Sequence, residues 1–487
     1  MKNPFKREPD PFAASRYEGI FRSVRTRERR MPWIFRHRWA GIALLLVGIL
    51  VGMAGYGVYF YYHLQGQIQD DIPTVRENEE DQAPFNVLLV GSDSREGLTE
   101  QEQLDFGAAA VGGERADTII VAHIDPETNR IMMVQFPRDL YVPIAGNGSN
   151  KINSALEGGP DRLVRTVKAL TGLDINHYAQ VNIAGFRDVI DAIGGVELCI
   201  TEPIPFDPQT GIEVPEEELP LVEFDGERAL RFVRSRNYAS GDFERIRNQQ
   251  RFLSAAINKV TSVGTLLSFG RIRKLADAAG SNLRIDKGTN LRELYDIGQR
   301  FRAFDPRNYE AYTAPNLGIG NNEAGSVVLP DEVTIEVMFD AIADNESPAE
   351  ADGVPDIDVA SVSVSVLNGT LEAGVAATAA DELRAATTIN GATVEIDEVA
   401  IAERSNFRRT IIRFAPDADD VEGSEKKAQL VAAAIPDARV LEVEENAMAT
   451  SADVEIVIGR QPVEIRKIVQ IVPIPLPKPG EVPAECR

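Results

Sequence analysis

The sequence predicts an α/β protein with one transmembrane helix, a larger α/β domain behind it and a small two-layer α/β domain toward the C-terminus. Three observations predict this. Residues 40–62 (AGIALLLVGILVGMAGYGVYFYY) carry no charge. Short apolar runs at 86–90 (NVLLV), 118–124 (TIIVAHI) and 131–136 (IMMVQF) read as buried strands, each with a charged motif at its end. Past an acidic, Pro-containing stretch at 344–356, strand-like and helix-like runs alternate again.

In chain order, residues 1–39 hold eleven Lys or Arg against four acids and form a basic cytoplasmic segment by the positive-inside rule. Residues 40–62 are long enough to cross a bilayer as one helix, with Trp33, Trp39, Tyr59, Tyr61 and Tyr62 suited to the two interfaces. The competing reading is a cleaved signal peptide. Against it stand the length of the apolar run, the long basic segment before it and the lack of a small-residue cleavage pattern after it. The chain is therefore expected in the cell membrane as a single-pass protein, its N-terminus cytoplasmic and everything after Tyr62 extracellular. Residues 63–83 form a polar tether, and residues 84–343 the larger domain, with helices expected at 161–170, 183–193 and 243–260, a strand at 309–313 and a closing helix at 330–342. Residues 344–359 read as a linker. Residues 360–460 follow a βαββαββ pattern, with helices at 374–386 and 425–434, and 461–487 is a Pro-rich extended tail.

Arginines and aspartates gather in four segments of the larger domain: GSDSR (91–95), ERADT (114–118), FPRD (136–139) and FVRSRNYASGDFERIRNQQ (232–250). Arginine presents a fork that matches phosphate, and aspartate is a hard oxygen ligand for magnesium, so the set suits a metal-bound pyrophosphate. The competing reading is solvated surface pairs, which contribute little; yet these motifs sit at strand ends, where sheet-based sites are built. In the last segment Ile246, Leu253, Ile257 and Val260 recur at helical spacing, which puts Arg245 and Gln249 on one shared face and turns Arg247 toward solvent. Arg234 and Arg236 share a helix face only if a helix ends between them, and the loop at 237–242, with Gly241, makes such an ending plausible.

The ordered motifs NVLLVGSDSR, RADTIIVAHID, FPRDLYV, KINSAL with GGP, LTGLDINHYAQVN, GFRDVIDAIGGVEL, DGERALRFVRSR and GDFERIRNQQ resemble the LytR-CpsA-Psr family of membrane-anchored cell-wall ligases across residues 85–260. The VLNGT and EAGVAATAADEL runs resemble the LytR C-terminal accessory domain. The first resemblance implies a central mixed sheet flanked by helices. It also implies a phosphotransferase that takes a glycopolymer from a polyprenyl-pyrophosphate carrier, joins it to peptidoglycan through a phosphodiester and releases polyprenyl phosphate. Carried over motif by motif, it implies that Asp93 and Asp117 hold magnesium, with manganese as the alternative, and that Arg115, Arg138, Arg234, Arg236, Arg245 and Gln249 bind the pyrophosphate, with Asp93, Asp117, Arg138, Arg234 and Arg236 catalytic. Arg95, Asp139 and Asp242 stand in matching motifs without an assigned role. One departure is visible: Asn248 stands directly before the Gln pair where the family usually has arginine. An acidic, Ala-rich chain of this organisation resembles actinobacterial members, which makes arabinogalactan one candidate donor glycan.

Removing the seven excess positive charges of residues 1–39 from the total of −24 leaves −31 on the rest, which argues against nucleic acid as a ligand. His37, His63, His123 and His177 lie far apart, and the last two read as structural. Cys199 in VELCI reads as a buried small hydrophobe; Cys486 lies in the tail, and a bridge between them is one of several states left open. The polyprenyl chain is expected in a groove between the sheet and helices 161–170 and 183–193, near Leu163, Val164, Val167, Leu170, Phe186, Val189 and Ile190. Two other readings remain: a hydrolase that cleaves the pyrophosphate lipid with water, and a non-catalytic membrane-anchored regulator of the cell envelope.

Overall fold

The structure is a computed structural model that describes residues 69–72, 84–98, 113–235, 242–261, 274, 278, 283–287, 308–355, 357–389, 392–474 and 486. All of them lie in the compact unit Leu64–Arg487. The expected transmembrane segment 40–62 and Arg236 fall outside the described residues; among those described, no helix is long and apolar enough to cross a membrane.

The larger domain is built on a seven-stranded mixed sheet in the order β1-β10-β7-β2-β3-β4-β11, comprising β1 (Gln69–Ile72), β2 (Phe85–Ser92), β3 (Ala116–Asp125), β4 (Arg130–Phe136), β7 (His177–Val181), β10 (Leu283–Asp286) and β11 (Tyr309–Thr313). The three strands read as apolar runs form its centre: β2, β3 and β4 pair antiparallel, with Leu89 opposite Ile120 and Val121 opposite Val134. β7 runs parallel to β2, and β11 parallel to β4. Short hairpins β5 (Tyr141–Pro143) with β6 (Ser149–Lys151) and β8 (Val196–Cys199) with β9 (Leu221–Phe224) flank the sheet, as does β12 (Asn316–Asn322) with β13 (Gly325–Pro330).

Strand alternation gives the sheet two apolar faces. One face, with Leu88, Val90, Ile119, Val121, Met132, Val134 and Phe136, packs against α1 (Pro160–Thr171) through Leu163, Val164 and Val167, and against α5 (Glu332–Ala343) through Met338 and Phe339. Phe136 and Phe339 stack at 5.8 Å. The other face carries Ile120, Ala122, Ile131 and Met133, with Val87, Leu89, Ile124, Tyr309 and Leu253 only partly buried around them. A third cluster joins α2 (Ile183–Ile193), the β8–β9 hairpin, α3 (Gly226–Arg234) and α4 (Asp242–Thr261) through Ile190, Ile193, Phe224, Phe232 and Phe252. The expected groove between the sheet and both α1 and α2 is therefore corrected: Leu163, Val164 and Val167 fill the first core, whereas Ile190, with Phe186 packed against it, belongs to the third cluster. Amphipathic spacing shows that each helix has an apolar face, not which layer that face meets.

The smaller domain is a five-stranded sheet, β15-β14-β18-β16-β17, made of β14 (Ser363–Asn368), β15 (Glu395–Ile401), β16 (Ile411–Phe414), β17 (Arg439–Glu442) and β18 (Val454–Ile458). It is parallel except where β16 meets β18. Helices α6 (Val375–Ala386) and α7 (Val421–Ala434) cover it through Ala379, Leu383, Ala428 and Val431, as the expected two-layer pattern requires. Where the chain was expected to trail off, Ile468 packs into this core and Ile471 into the core of the larger domain. The Ile471 N–H donates to Asp352 Oδ2 at 2.8 Å, and that of Ile474 to the Ala311 carbonyl on β11 at 2.7 Å. Cys486 is disulfide-bonded to Cys199 on β8, with the Cα atoms 5.9 Å apart, so the bridge left open by the sequence is formed.

Candidate functional site

The site lies where β2 and β4 end and β3 begins. At Gly91 a Cβ would come within 3.2 Å of Thr118 Cβ, so glycine lets the two strands close together. Just beyond, Gly91 opposes Thr118 while Ser92 opposes Ala116, which leaves Asp117 as the extra residue of a bulge. Bulges beside sites re-aim a side chain. The next residue, Asp93, is clamped to the neighbouring chain: its N–H donates to the Arg115 carbonyl at 3.0 Å, and its Oδ1 accepts the Arg115 N–H at 2.7 Å. Burial pushes the Asp93 carboxyl above the ordinary range; the Arg115 N–H opposes this, and the charges of Asp117 and Glu114 add to it. Two carboxylates are thus held close enough to repel, the arrangement a hard cation relieves.

Pro137 turns the chain out of β4, and Arg138 reaches back to donate from Nη1 to Asp117 Oδ1 at 2.5 Å. Asp139 beside it pairs with Lys151 Nζ at 3.2 Å. Arg234 arrives from the third cluster. Helix α3 starts with Asp225 as its cap, accepting the Arg228 N–H, and with Gly226 so tight against the Arg187 carbonyl that a Cβ would lie 2.3 Å from it. It ends at Arg234, and Ser235 is already extended at φ −61°, ψ 141°, so the helix does stop between Arg234 and Arg236. Burial pushes the Arg234 guanidinium below the ordinary arginine range; Asp117 and Asp93 oppose this, and Arg95 and Arg138 reinforce it. One guanidinium therefore senses charges from the GSDSR, ERADT and FPRD motifs together.

Helix α4 supplies Arg245, buried, and Gln249 one turn later. Gln249 Oε1 accepts from Gln135 Nε2 at 2.6 Å, and its Nε2 donates to the Val233 carbonyl at 3.0 Å, so its amide ties β4, α3 and α4 together. Arg247 is exposed and pairs with Glu244 at 3.3 Å, on the outward face as expected, while Asn248 is buried. Arg115 differs from its companions: its Nε donates to Glu157 Oε1 at 2.7 Å, and it is the backbone of Arg115, not its guanidinium, that touches Asp93.

Lys151, Tyr178 and Gln180 were given no role in the sequence, and Glu114 only a place in the ERADT motif. Lys151 was legible only as the first residue of KINSAL. Glu114 Oε1 accepts from buried Gln180 Nε2 at 2.6 Å, and Gln180 Oε1 accepts from Tyr178 Oη at 2.7 Å. The signals for that chain were Glu114 in ERADT and the alternation of Tyr178 and Gln180 along β7. Among the described residues no group of three or more His, Cys, Asp or Glu could hold a metal, so a cation at Asp93 and Asp117 would complete its shell with water and substrate oxygens.

The family model described as the LytR_cpsA_psr family matches residues 58–343, and that of the LytR cell envelope-related transcriptional attenuator matches residues 361–461. A probable cell wall biosynthesis protein LcpB of Corynebacterium glutamicum is 36% identical over 262 residues, which is 53% of this chain and 61% of that protein. A second protein of that organism, the cell wall biosynthesis protein LcpA, is 29% identical over 364 residues, 66% of each chain. This chain thus spans about two thirds or less of both. A polyisoprenyl-teichoic acid–peptidoglycan teichoic acid transferase TagU of Oceanobacillus iheyensis is 31% identical over 280 residues, 53% of this chain and 78% of that one. Among solved structures, Bacillus subtilis TagV is similar at a TM-score of 0.44 and 25% identity, covering 55% of this chain and 100% of that one. Since the first family match runs through more than half of its length, the chain belongs to the LytR-CpsA-Psr family.

Proposed function

We propose that this chain is a phosphotransferase that moves a glycopolymer from a polyprenyl-pyrophosphate carrier to peptidoglycan through a phosphodiester bond. The observation that carries this reading is the convergence of Arg234 with Asp93, Asp117, Arg95 and Arg138 at one end of the sheet. The names of the relatives support the class: LcpA and LcpB are named for cell wall biosynthesis, TagU for transfer of teichoic acid from a polyisoprenyl carrier to peptidoglycan.

In the reaction, an acceptor hydroxyl oxygen attacks the phosphorus that carries the glycan. The new O–P bond forms as the bond from that phosphorus to the bridging oxygen breaks; the electron pair stays on the bridging oxygen, which leaves as polyprenyl phosphate, and the hydroxyl proton is released. The barrier lies in aligning the nucleophile in line and stabilising charge on the phosphate oxygens. Arg138 and Arg234 bring fixed positive charge to those oxygens, and buried Arg245 on α4 adds to it. The carboxylates of Asp93 and Asp117 fit magnesium or manganese, which when bound would neutralise phosphate charge.

The carrier's apolar chain needs a surface that continues from the head site. Along α4, Arg245, Gln249 and Leu253 follow one another at four-residue spacing on one stripe, passing from charge to amide to hydrocarbon. Leu253 packs beside Ile120, Ala122, Ile131 and Met133 on the partly covered face of the sheet, and that face is our proposed seat for the polyprenyl chain. With residues 40–62 as a membrane anchor, the domain would work outside the cytoplasm on a carrier held in the same bilayer.

The test is full-length protein in detergent with a lipid-pyrophosphate glycan, magnesium and peptidoglycan, followed by mass analysis. The expected result is a glycan–phosphate–peptidoglycan adduct and polyprenyl phosphate in equal amounts. Soluble glycan phosphate without adduct would mark a hydrolase, and neither product would mark a non-catalytic regulator.

A further inference from the structure

The backbone on either side of Arg234 is held by hydrogen bonds from other segments and from the helix itself. On its N-terminal side, the Val233 carbonyl accepts from Gln249 Nε2, whose amide is itself fixed by Gln135. On its C-terminal side stands Ser235, fully buried. Its backbone N–H closes the helix on the Phe232 carbonyl at 3.2 Å, and its Oγ donates to Asp207 Oδ2 at 2.7 Å. Asp207 belongs to the loop between β8 and β9, far from Ser235 in sequence, and is 2% exposed. A carboxylate so buried costs stability unless its oxygens are satisfied, and here they are. Oδ1 accepts the Gln209 N–H at 2.9 Å, and Oδ2 accepts Thr210 Oγ1 at 2.8 Å in addition to Ser235. The loop is itself anchored, with Ile204 bridged to Val214 and Ile204, Ile212 and Val214 packed in the third core cluster.

Two of these three donors lie within three residues of Asp207 and serve its own turn. The third lies 28 residues away in the chain, at the end of α3. We infer that Asp207 is a positioning residue for the phosphate site: through Ser235 Oγ it fixes the end of α3 that carries Arg234. This rests on the reading of Arg234 as a pyrophosphate ligand. An arginine on a freely fraying helix end would have to be ordered by each substrate; one bracketed on both sides is preorganised, and a misplacement of about 1 Å can cost about 100-fold in rate.

The experiment measures binding of a short-chain prenyl pyrophosphate to the full-length protein in metal-free buffer at one salt concentration, with thermal melting alongside. The variants are R234A, S235A, D207N and S235A/R234A. S235A removes the distant link and leaves the Asp207 turn its own donors; D207N reads the same link should S235A fail to fold. The expected result is a loss of about 10-fold or more for R234A, S235A and D207N, with no further loss on adding S235A to R234A. Wild-type binding by both S235A and D207N overturns the inference, as does an equal loss from S235A in the wild-type and R234A backgrounds, the result for a residue that only supports the fold. Wild-type binding by R234A overturns the reading of the phosphate site itself, and with it this inference.

Discussion

Replacing Arg138 by lysine keeps the charge and removes the fork, so it separates a phosphate clamp from a surface ion pair. Arg138 is largely buried, its side chain 19% exposed, and it already commits one Nη to Asp117 at 2.5 Å. A guanidinium presents its N–H donors in one planar fork, the geometry that matches a phosphate. Lysine cannot hold Asp117 and a phosphate oxygen in one plane. A hydrogen bond to a charged group contributes about 1.5–3 kcal/mol, so losing one prong lowers affinity for a lipid pyrophosphate about 10- to 100-fold. Arg247 supplies the contrast: it is exposed and paired with Glu244 three residues away, a pair that contributes little to stability and is the same with and without ligand, so Arg247→Ala leaves affinity nearly unchanged. Both variants and the wild type are compared by titration with the same lipid pyrophosphate at one ionic strength. Equal tolerance of the two substitutions would refute the clamp and return Arg138 to an ordinary ion pair.

Three further outcomes are expected. Asp93→Ala and Asp117→Ala each abolish most magnesium-dependent transfer, by orders of magnitude, while circular dichroism stays unchanged; near-normal turnover in both removes them as metal ligands. Cys486→Ser opens a bridge spanning 287 residues, and with disulfides typically contributing about 2–4 kcal/mol the melting temperature falls by about 5–15 °C; an unchanged melt under non-reducing conditions contradicts the bridge. In the smaller domain, burial raises Asp453, but this is outweighed by donors on Lys427 and Ser363, leaving it below the ordinary carboxylate range. Its contribution is then present above the unfolded value of 3.8 and lost as pH falls through the lower folded value. Asp453→Asn therefore destabilises at pH 7, and its cost shrinks as pH falls below 3.8, which urea unfolding across that range reads directly.

Much of the scaffold was legible from local pattern. The runs at 86–90, 118–124 and 131–136 became β2, β3 and β4, residues 183–193 form α2 as expected, and the strands and helices of the smaller domain fall close to their expected places. Spacing alone put Arg245 and Gln249 on one face of α4 and turned Arg247 outward. These features depend on period and capping, which steric rules impose within a few residues along the chain. What the side chains touch was decided elsewhere. Nothing local distinguishes Arg115, held by Glu157 forty-two residues away, from Arg138, held by Asp117 across a bulged register. Nor does helical spacing reveal that the Gln249 amide is already engaged by Gln135 and the Val233 carbonyl. The partly buried apolar face beside Leu253 and the pairing of Cys199 with Cys486 likewise appear only when distant segments meet. The residue types of the site are a property of the sequence, because phosphate and hard cations admit few partners. Their division into ligands, anchors and bystanders belongs to the tertiary structure, because strand register and helix ends aim each side chain, and both are set by packing between residues far apart in the chain.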